Sequence, residues 1–344
     1  MHSPINTVSA PIAVLGAGAW GTALAIHLSR VGYRVNLWTH SVQAAKEMRV
    51  ARQNHRYLKD FPFPDSLRVT ECLSETVQQA QAVLVVVPSH VFREVLKALS
   101  TVLPPSHQIP IAWATKGFEP DSLCLLHQVA EQVFGVDAGL TVLSGPTFAT
   151  EVAKGLPTAM VSASRKLVQA EFWAQVFHHE NFRMYTQNDV VGVEVGGAYK
   201  NIMAIATGVS DGLGLGANAR AALISRGMVE MMRLSHALGG QNETMMGLAG
   251  LGDLVLTCTD DLSRNRRFGF QLAQEGAQVE AVIDKIGQVV EGVKAVRAVH
   301  QLAEQLALDL PIMQQVYHLV EGSIRPQQAA RALLARDGKA EAQS

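Results

Sequence analysis

From residue 12 onward the chain alternates short apolar runs with stretches of helical spacing, and the alternation lasts through its first half. Residues 12–15, 35–38, 83–87, 109–114 and 140–143 are apolar runs of strand length. Helix-forming stretches such as 22–30 lie between them. Strands that alternate with helices predict an α/β architecture built on a doubly wound parallel sheet. From about Val190 the pattern changes. Residues 190–209, 217–238, 279–285, 293–306 and 311–321 have helical spacing and good helix formers, with no strand alternation. The predicted organisation is an α/β domain over 1–190, an all-α domain over 191–335, and a polar, disordered tail over 336–344. No internal repeat is present.

The link between the first two strands carries a specific motif. Gly-Ala-Gly-Ala-Trp-Gly at 16–21 is a G-x-G-x-x-G with a strand before it, a helix after it and a second strand within about 30 residues. In that context Gly16 permits the tight turn and Gly18 lets the backbone approach a pyrophosphate. Gly21 allows the helix to pack closely on the strand, and the N–H groups at the helix start face the phosphates. The first domain is therefore read as a Rossmann-type dinucleotide-binding fold. Later strands end in polar residues, Thr115-Lys116-Gly117 and Ser144-Gly145-Pro146-Thr147. Ligands of such sheets bind outside the carboxyl ends of the strands, so Lys116 and Thr147 are candidate ligand contacts. For Thr147 a turn-organising role is an equal alternative.

Gly196-Gly197-Ala198-Tyr199-Lys200-Asn201 places a lysine in the middle of the apolar run 190–209. Burying an ammonium costs several kcal/mol unless it is paired. The nearby ion, Glu194, lies six positions back and off its face. Gly192, Gly196 and Lys200 share a helix face, which suggests room for another molecule beside the amine. A lysine that snorkels to solvent is the alternative. On the functional reading, replacing Lys200 by Met is expected to raise stability slightly. Further along, Asp253 and Thr257 share a face if their segment is helical, and Ser263 and Asn265 bracket Arg264 with groups suited to anion recognition. Arg266 and Arg267 read as a surface cluster.

Charge and cysteine usage narrow the partners. A formal net charge of −1 over 344 residues offers no basic field for nucleic acid or a membrane surface. Cys72, Cys124 and Cys258 are odd in number and widely spaced, which indicates neither a disulfide framework nor a zinc site and fits a reducing cytosol. The twelve histidines show no metal-ligand motif. The N-terminus lacks the basic and apolar regions of a signal peptide, and no run is apolar enough to span a membrane.

Six blocks taken together resemble one family. They are Gly-Ala-Gly-Ala-Trp-Gly-Thr-Ala-Leu-Ala (16–25), Trp-Ala-Thr-Lys-Gly (113–117), Ser-Gly-Pro-Thr-Phe-Ala (144–149), Gly-Gly-Ala-Tyr-Lys-Asn (196–201), Gly-Leu-Gly-Asp-Leu (250–254) and Ser-Arg-Asn-Arg-Arg-Phe-Gly (263–269). In this order they resemble the bacterial NAD(P)-dependent sn-glycerol-3-phosphate dehydrogenases. The resemblance implies reversible reduction of dihydroxyacetone phosphate, a role in supplying glycerophospholipid backbones, a cytoplasmic location and a homodimer. It implies that Lys200 exchanges the proton with the substrate, that Lys116 contacts both ligands, and that Lys116 and Asp253 belong with Lys200 to the catalytic set. Gly145, Thr147, Ser263, Arg264 and Asn265, with Asp253, would surround the substrate, Arg264 also reaching the cofactor. Ala19, Trp20, His40, Ala149, Val289 and Glu291 match cofactor-contacting positions. Ala19 departs from the family, where serine is frequent.

Cofactor choice is read from the end of the second strand, Leu37-Trp38-Thr39-His40-Ser41. An NAD-selective site places an acid there, and none is present. NADPH is the expected cofactor, with NADH accepted less well and no metal required. Two other readings remain open at this stage: another two-domain hydroxyacid dehydrogenase, and a nucleotide sensor without catalysis.

Overall fold

The computed structural model describes residues 10–103, 109–274, 277–287 and 289–335. The expected tail at 336–344 lies outside them. The chain divides into two compact units, the first of residues 1–116 and 126–190, the second of 117–125 and 191–344.

Among the described residues, the first unit contains every strand. These are β1 (Ile12–Leu15), β2 (Val35–Trp38), β3 (Gln53–Asn54), β4 (Leu58–Pro62), β5 (Leu67–Thr70), β6 (Ala82–Val85), β7 (Ile111–Trp113), β8 (Leu140–Ser144), β9 (Thr158–Ala163) and β10 (Phe182–Gln187). Eight of them form one sheet in the order β10-β9-β8-β7-β6-β1-β2-β5, and β3 pairs with β4 separately. The order reverses at β1, where the chain moves outward first through β2 and then through β6. Strands β1 and β6 are wholly buried, as expected of runs covered by helices on both faces.

The sheet is mostly parallel rather than wholly so. Strands β9 and β10 carry no strong apolar alternation and were not among the expected strands. The connection from β8 to β9 holds one six-residue helix, Ala149–Lys154. At 1.5 Å per residue that helix is too short to return the chain along the sheet face, and β9 runs antiparallel to β8. The helix Leu167–Phe177 is long enough, and β10 lies parallel to β9.

The second unit is helical. Its axis is the helix Val190–Gly212, 23 residues long, surrounded by the helices Gly216–Ala237, Asp253–Thr259, Arg264–Leu272, Glu291–Gln305 and Pro311–Val320. The segment 117–125 leaves the sheet after Lys116 and gives Phe118 and Leu125 to this unit's core. Buried Glu230 joins the packing: it accepts from Tyr199 Oη at 2.6 Å and from the backbone N–H of Ile312 at 2.7 Å. It thus satisfies the start of the Pro311–Val320 helix, where an acid is favourable. No helix among the described residues is long and apolar enough to cross a membrane.

His27 is a packing residue with a titration consequence. It lies in the helix Ala19–Val31, donates from Nε2 to the Phe177 carbonyl at 2.8 Å and packs on the Phe182 ring. Burial lowers its pKa from 6.5 to about 4, with the Phe177 carbonyl opposing. The unfolded chain therefore takes up a proton before the folded one. Stability is complete above about pH 6.5 and falls as pH drops toward 4, by roughly 3 kcal/mol from this residue. Urea denaturation of the parent and His27→Gln across that window should show a shallower loss in the variant.

Candidate active site

In the first unit the glycine loop is held by close backbone approach. Gly16 has φ +119°, and a Cβ there would lie 2.5 Å from the Val86 carbonyl oxygen. A Cβ on Gly21 would lie 1.9 Å from the Gly16 carbonyl oxygen, whereas Gly18 has open space above it. Gly18 is the N-cap of the helix Ala19–Val31 and provides no side-chain cap, so the first N–H groups of that helix have no side-chain acceptor at the cap. The loop is pinned by a residue that sequence reasoning missed. Buried Asn54 donates to the Ala17 carbonyl at 2.9 Å and to Thr22 Oγ1 at 2.8 Å. A lone asparagine before β4 gives no sequence signal of this role.

At the end of β2, His40 is exposed and Thr39 buried, and Ser41 caps the helix Val42–Ala51 by accepting from the Ala44 N–H. At the ends of β7 and β8, Lys116 Nζ donates to the Gly145 carbonyl at 3.3 Å, and Thr147 Oγ1 donates to the same carbonyl at 3.2 Å. The Thr147 hydroxyl therefore organises this turn, as one of its two alternatives has it. Ala149 opens the next helix, and Ala19 and Trp20 open the helix after the glycine loop.

In the second unit Lys200 is 7% exposed, and it does not snorkel. Its Nζ donates to Asp253 Oδ1 at 2.5 Å and to Thr257 Oγ1 at 3.1 Å. Asp253 is 0% exposed and begins the helix Asp253–Thr259, which places Thr257 one turn on, on the same face. The partner of the lysine thus lies 53 positions along the chain. Room beside the amine is smaller than the glycine spacing suggested. A Cβ on Gly196 would lie 2.4 Å from the Ala249 carbonyl oxygen, and one on Gly240 would lie 3.0 Å from the Gly192 nitrogen. The glycines let neighbouring backbone lie against the helix; they do not leave an opening there. Cys258, next to Thr257, is an inert thiol, since burial pushes its pKa up to about 12.

The helix Arg264–Leu272 brings a second group together. Ser263 is its N-cap, accepting from the Arg266 N–H at 3.2 Å. Asn265 donates to Asn201 Oδ1 at 2.8 Å and accepts from the Gly292 N–H at 2.9 Å. It therefore ties the Lys200 helix to the start of the helix Glu291–Gln305. Glu291 is that helix's first residue and faces Arg264 electrostatically, while Val289 is 42% exposed just before it. Burial lowers the Arg264 pKa from its usual value, opposed by Glu291, and burial raises that of Glu291, opposed by Lys294 and Arg264. Arg266 is no surface residue. It is 8% exposed and paired with Asp211 and Asp261, because its side chain turns inward against the end of the long helix. No group of three metal-ligating side chains occurs among the described residues.

A glycine loop at the switch point of a doubly wound sheet, joined to a helical unit with a buried lysine, defines a two-domain nicotinamide-dependent oxidoreductase. Family models of the NAD-dependent glycerol-3-phosphate dehydrogenase N-terminus and C-terminus match residues 11–170 and 189–331. The chain is 62% identical over 331 residues to a glycerol-3-phosphate dehydrogenase [NAD(P)+] of Hydrogenovibrio crunogenus, covering 96% of each chain. It is 50% identical to one of Thioalkalivibrio sulfidiphilus, covering 96% of this chain and 98% of that one. A crystal structure of glycerol-3-phosphate dehydrogenase from Coxiella burnetii is similar with a TM-score of 0.91 at 45% identity, over 95% of this chain and 99% of that one. The chain belongs to the NAD-dependent glycerol-3-phosphate dehydrogenase family.

The Lys200–Asp253 pair reverses one expectation. With Asp253 wholly buried, Lys200→Met does not relieve a cost but leaves a carboxylate without its cation, which destabilises by about 3–5 kcal/mol. Lys200→Met combined with Asp253→Asn removes both charges and should recover most of that loss. Thermal and urea unfolding of the two variants measures it.

Proposed function

We propose that the chain catalyses the reversible NAD(P)H-dependent reduction of dihydroxyacetone phosphate to sn-glycerol 3-phosphate. The observation that carries this reading is the buried Lys200 held by Asp253 and Thr257, in the same unit as the Ser263-Arg264-Asn265 helix start. The names of the relatives support the same substrate. The glycine loop fits a dinucleotide: the space above Gly18 has room for a pyrophosphate, and the N–H groups behind it, with no side-chain cap, can donate to it. Ala19, Trp20, His40, Ala149, Val289 and Glu291 are the further cofactor contacts on this reading. When bound, the reduced nicotinamide supplies the hydride.

The protein's own part is proton, charge and position. As the carbonyl carbon gains its hydride, charge grows on the carbonyl oxygen, and the Lys200 ammonium stabilises that charge and passes it a proton. Asp253 favours the ammonium form, and Thr257 directs it. Arg264 recognises the substrate's phosphate with the N–H groups at the start of its helix, where the macrodipole also favours an anion. Asn265 keeps one amide N–H for a ligand after its two protein bonds. Lys116, Gly145, Thr147 and Ser263 complete the set. A supply role for glycerophospholipids, a cytoplasmic location and a homodimer belong to the same proposal.

The test is oxidation of NADPH and NADH with dihydroxyacetone phosphate, followed with the parent and variants. Lys200→Met, assayed cold and confirmed folded by circular dichroism, should lose at least about a hundredfold in kcat with cofactor affinity nearly unchanged. Arg264→Ala should raise KM for dihydroxyacetone phosphate strongly, and dihydroxyacetone should be a very poor substrate for the parent. Comparable use of both substrates by the parent sinks the phosphate reading.

NADPH is the preferred cofactor on this proposal. No acid ends β2, and Thr39, His40 and Ser41 all have donors for a 2′-phosphate. His40→Asp places an acid there and should shift the ratio of kcat/KM toward NADH. A parent enzyme that strongly prefers NADH contradicts the assignment.

A further inference from the structure

The row of positions four apart on the helix Val190–Gly212 continues past Lys200 to Gly208 and Gly212. A Cβ on Gly208 would lie 2.0 Å from the Arg266 carbonyl oxygen, and one on Gly269 would lie 2.1 Å from the Ile205 carbonyl oxygen. The helix Arg264–Leu272 therefore meets the long helix along a seam, backbone to backbone at Gly208 and Gly269, with the Ala273 methyl group against Gly212. Such a seam sets the distance between two helices. It says less about rotation of the shorter helix about its own axis, since glycine offers no knob to lock.

A buried ion cluster supplies that lock. Asp211, in the last turn of the long helix, accepts at Oδ2 from Arg266 Nη2 at 2.6 Å and from Nε at 3.1 Å. Its Oδ1 accepts from Arg220 Nη1 at 2.9 Å. The Asp211 and Arg266 side chains are 9% and 10% exposed, and Arg266 also donates to exposed Asp261. Arg264 lies two positions before Arg266, about 200° around the helix. Holding the direction of Arg266 therefore holds that of Arg264.

We propose that Asp211 is a positioning residue for phosphate recognition: through Arg266 it sets the rotation of the helix Arg264–Leu272, and so the direction of Arg264 and Asn265. The inference rests on the reading of Arg264 as the phosphate ligand. It assigns the substrate preference partly to a residue that acts through Arg266 rather than on the phosphate. It also explains why adjacent arginines in one short segment have different surroundings.

The experiment compares Asp211→Asn, Asp211→Asn/Arg266→Met and Arg266→Lys with the parent, by steady-state kinetics and thermal unfolding. The double variant removes both buried charges at similar volume, so it should keep a near-parental melting temperature. In both Asp211 variants KM for dihydroxyacetone phosphate should rise about tenfold, with kcat within about threefold and KM for NADPH within about twofold, the pattern of lost uniform binding. Arg266→Lys keeps the charge, loses the two-nitrogen grip and should show a smaller rise. A purely structural role lowers the melting temperature and leaves this split absent. Folded Asp211 variants with a parental KM overturn the inference; if neither folds, a parental KM in Arg266→Lys does so. Arg264→Ala is run beside them: an unchanged KM there overturns the phosphate reading itself, whereas a raised KM there with unchanged Asp211 variants overturns this inference alone.

Discussion

The second unit is organised around one requirement, that the nearly buried ammonium of Lys200 meet the wholly buried carboxylate of Asp253. Neither charge is tolerable there alone, and together they hold only if the two backbones come close enough for a direct contact at 2.5 Å. That closeness depends on Gly196, against which the Ala249–Gly250 backbone lies. Alanine at 196 would press its Cβ into a carbonyl oxygen and push the start of the Asp253 helix away from the amine. The glycines beside Lys200 are thus part of the ion pair's geometry.

The same device recurs with a different cargo. At Gly208 and Gly269 the long helix receives the Arg264–Leu272 helix, and Asn265 then bonds Asn201 next to Lys200 and the Gly292 N–H beside Glu291. Polar links of this kind are costly when half-made and rigid when complete. Here the links at Asn265 and at Asp211 each join side chains whose charges or amide groups have protein partners. The consequence is a unit in which the amine and the anion-binding helix start are attached to one backbone.

What the sequence disclosed was what is local. The strand, glycine loop and helix at 12–31 follow one another within a few residues, so spacing alone reveals them, as it reveals the long helices of the second unit. Lys200 stood out because its neighbours are apolar. Its partner did not, because Asp253 is distant in sequence and only the fold brings it near. Arg266 was misjudged for a related reason: among three arginines within four positions nothing local tells which side chain turns inward. Strands β9 and β10 escaped notice since β10, Phe-Arg-Met-Tyr-Thr-Gln, is an edge strand with mixed polarity. Asn54 was invisible because an asparagine near a turn has a local explanation that needs no distant bond.

Glycine and charge have complementary parts in this design. A backbone contact through glycine has essentially one distance, set by van der Waals radii, whereas side chains packed between helices can change rotamer and let the helices drift. It leaves the angle about each axis weakly determined. A buried carboxylate gripping two nitrogens of one guanidinium does the opposite: it is directional, and it tolerates little rotation. Distance from glycine and angle from a buried ion pair together leave a short helix one orientation, and a ligand that needs donors within a few tenths of an ångström requires both.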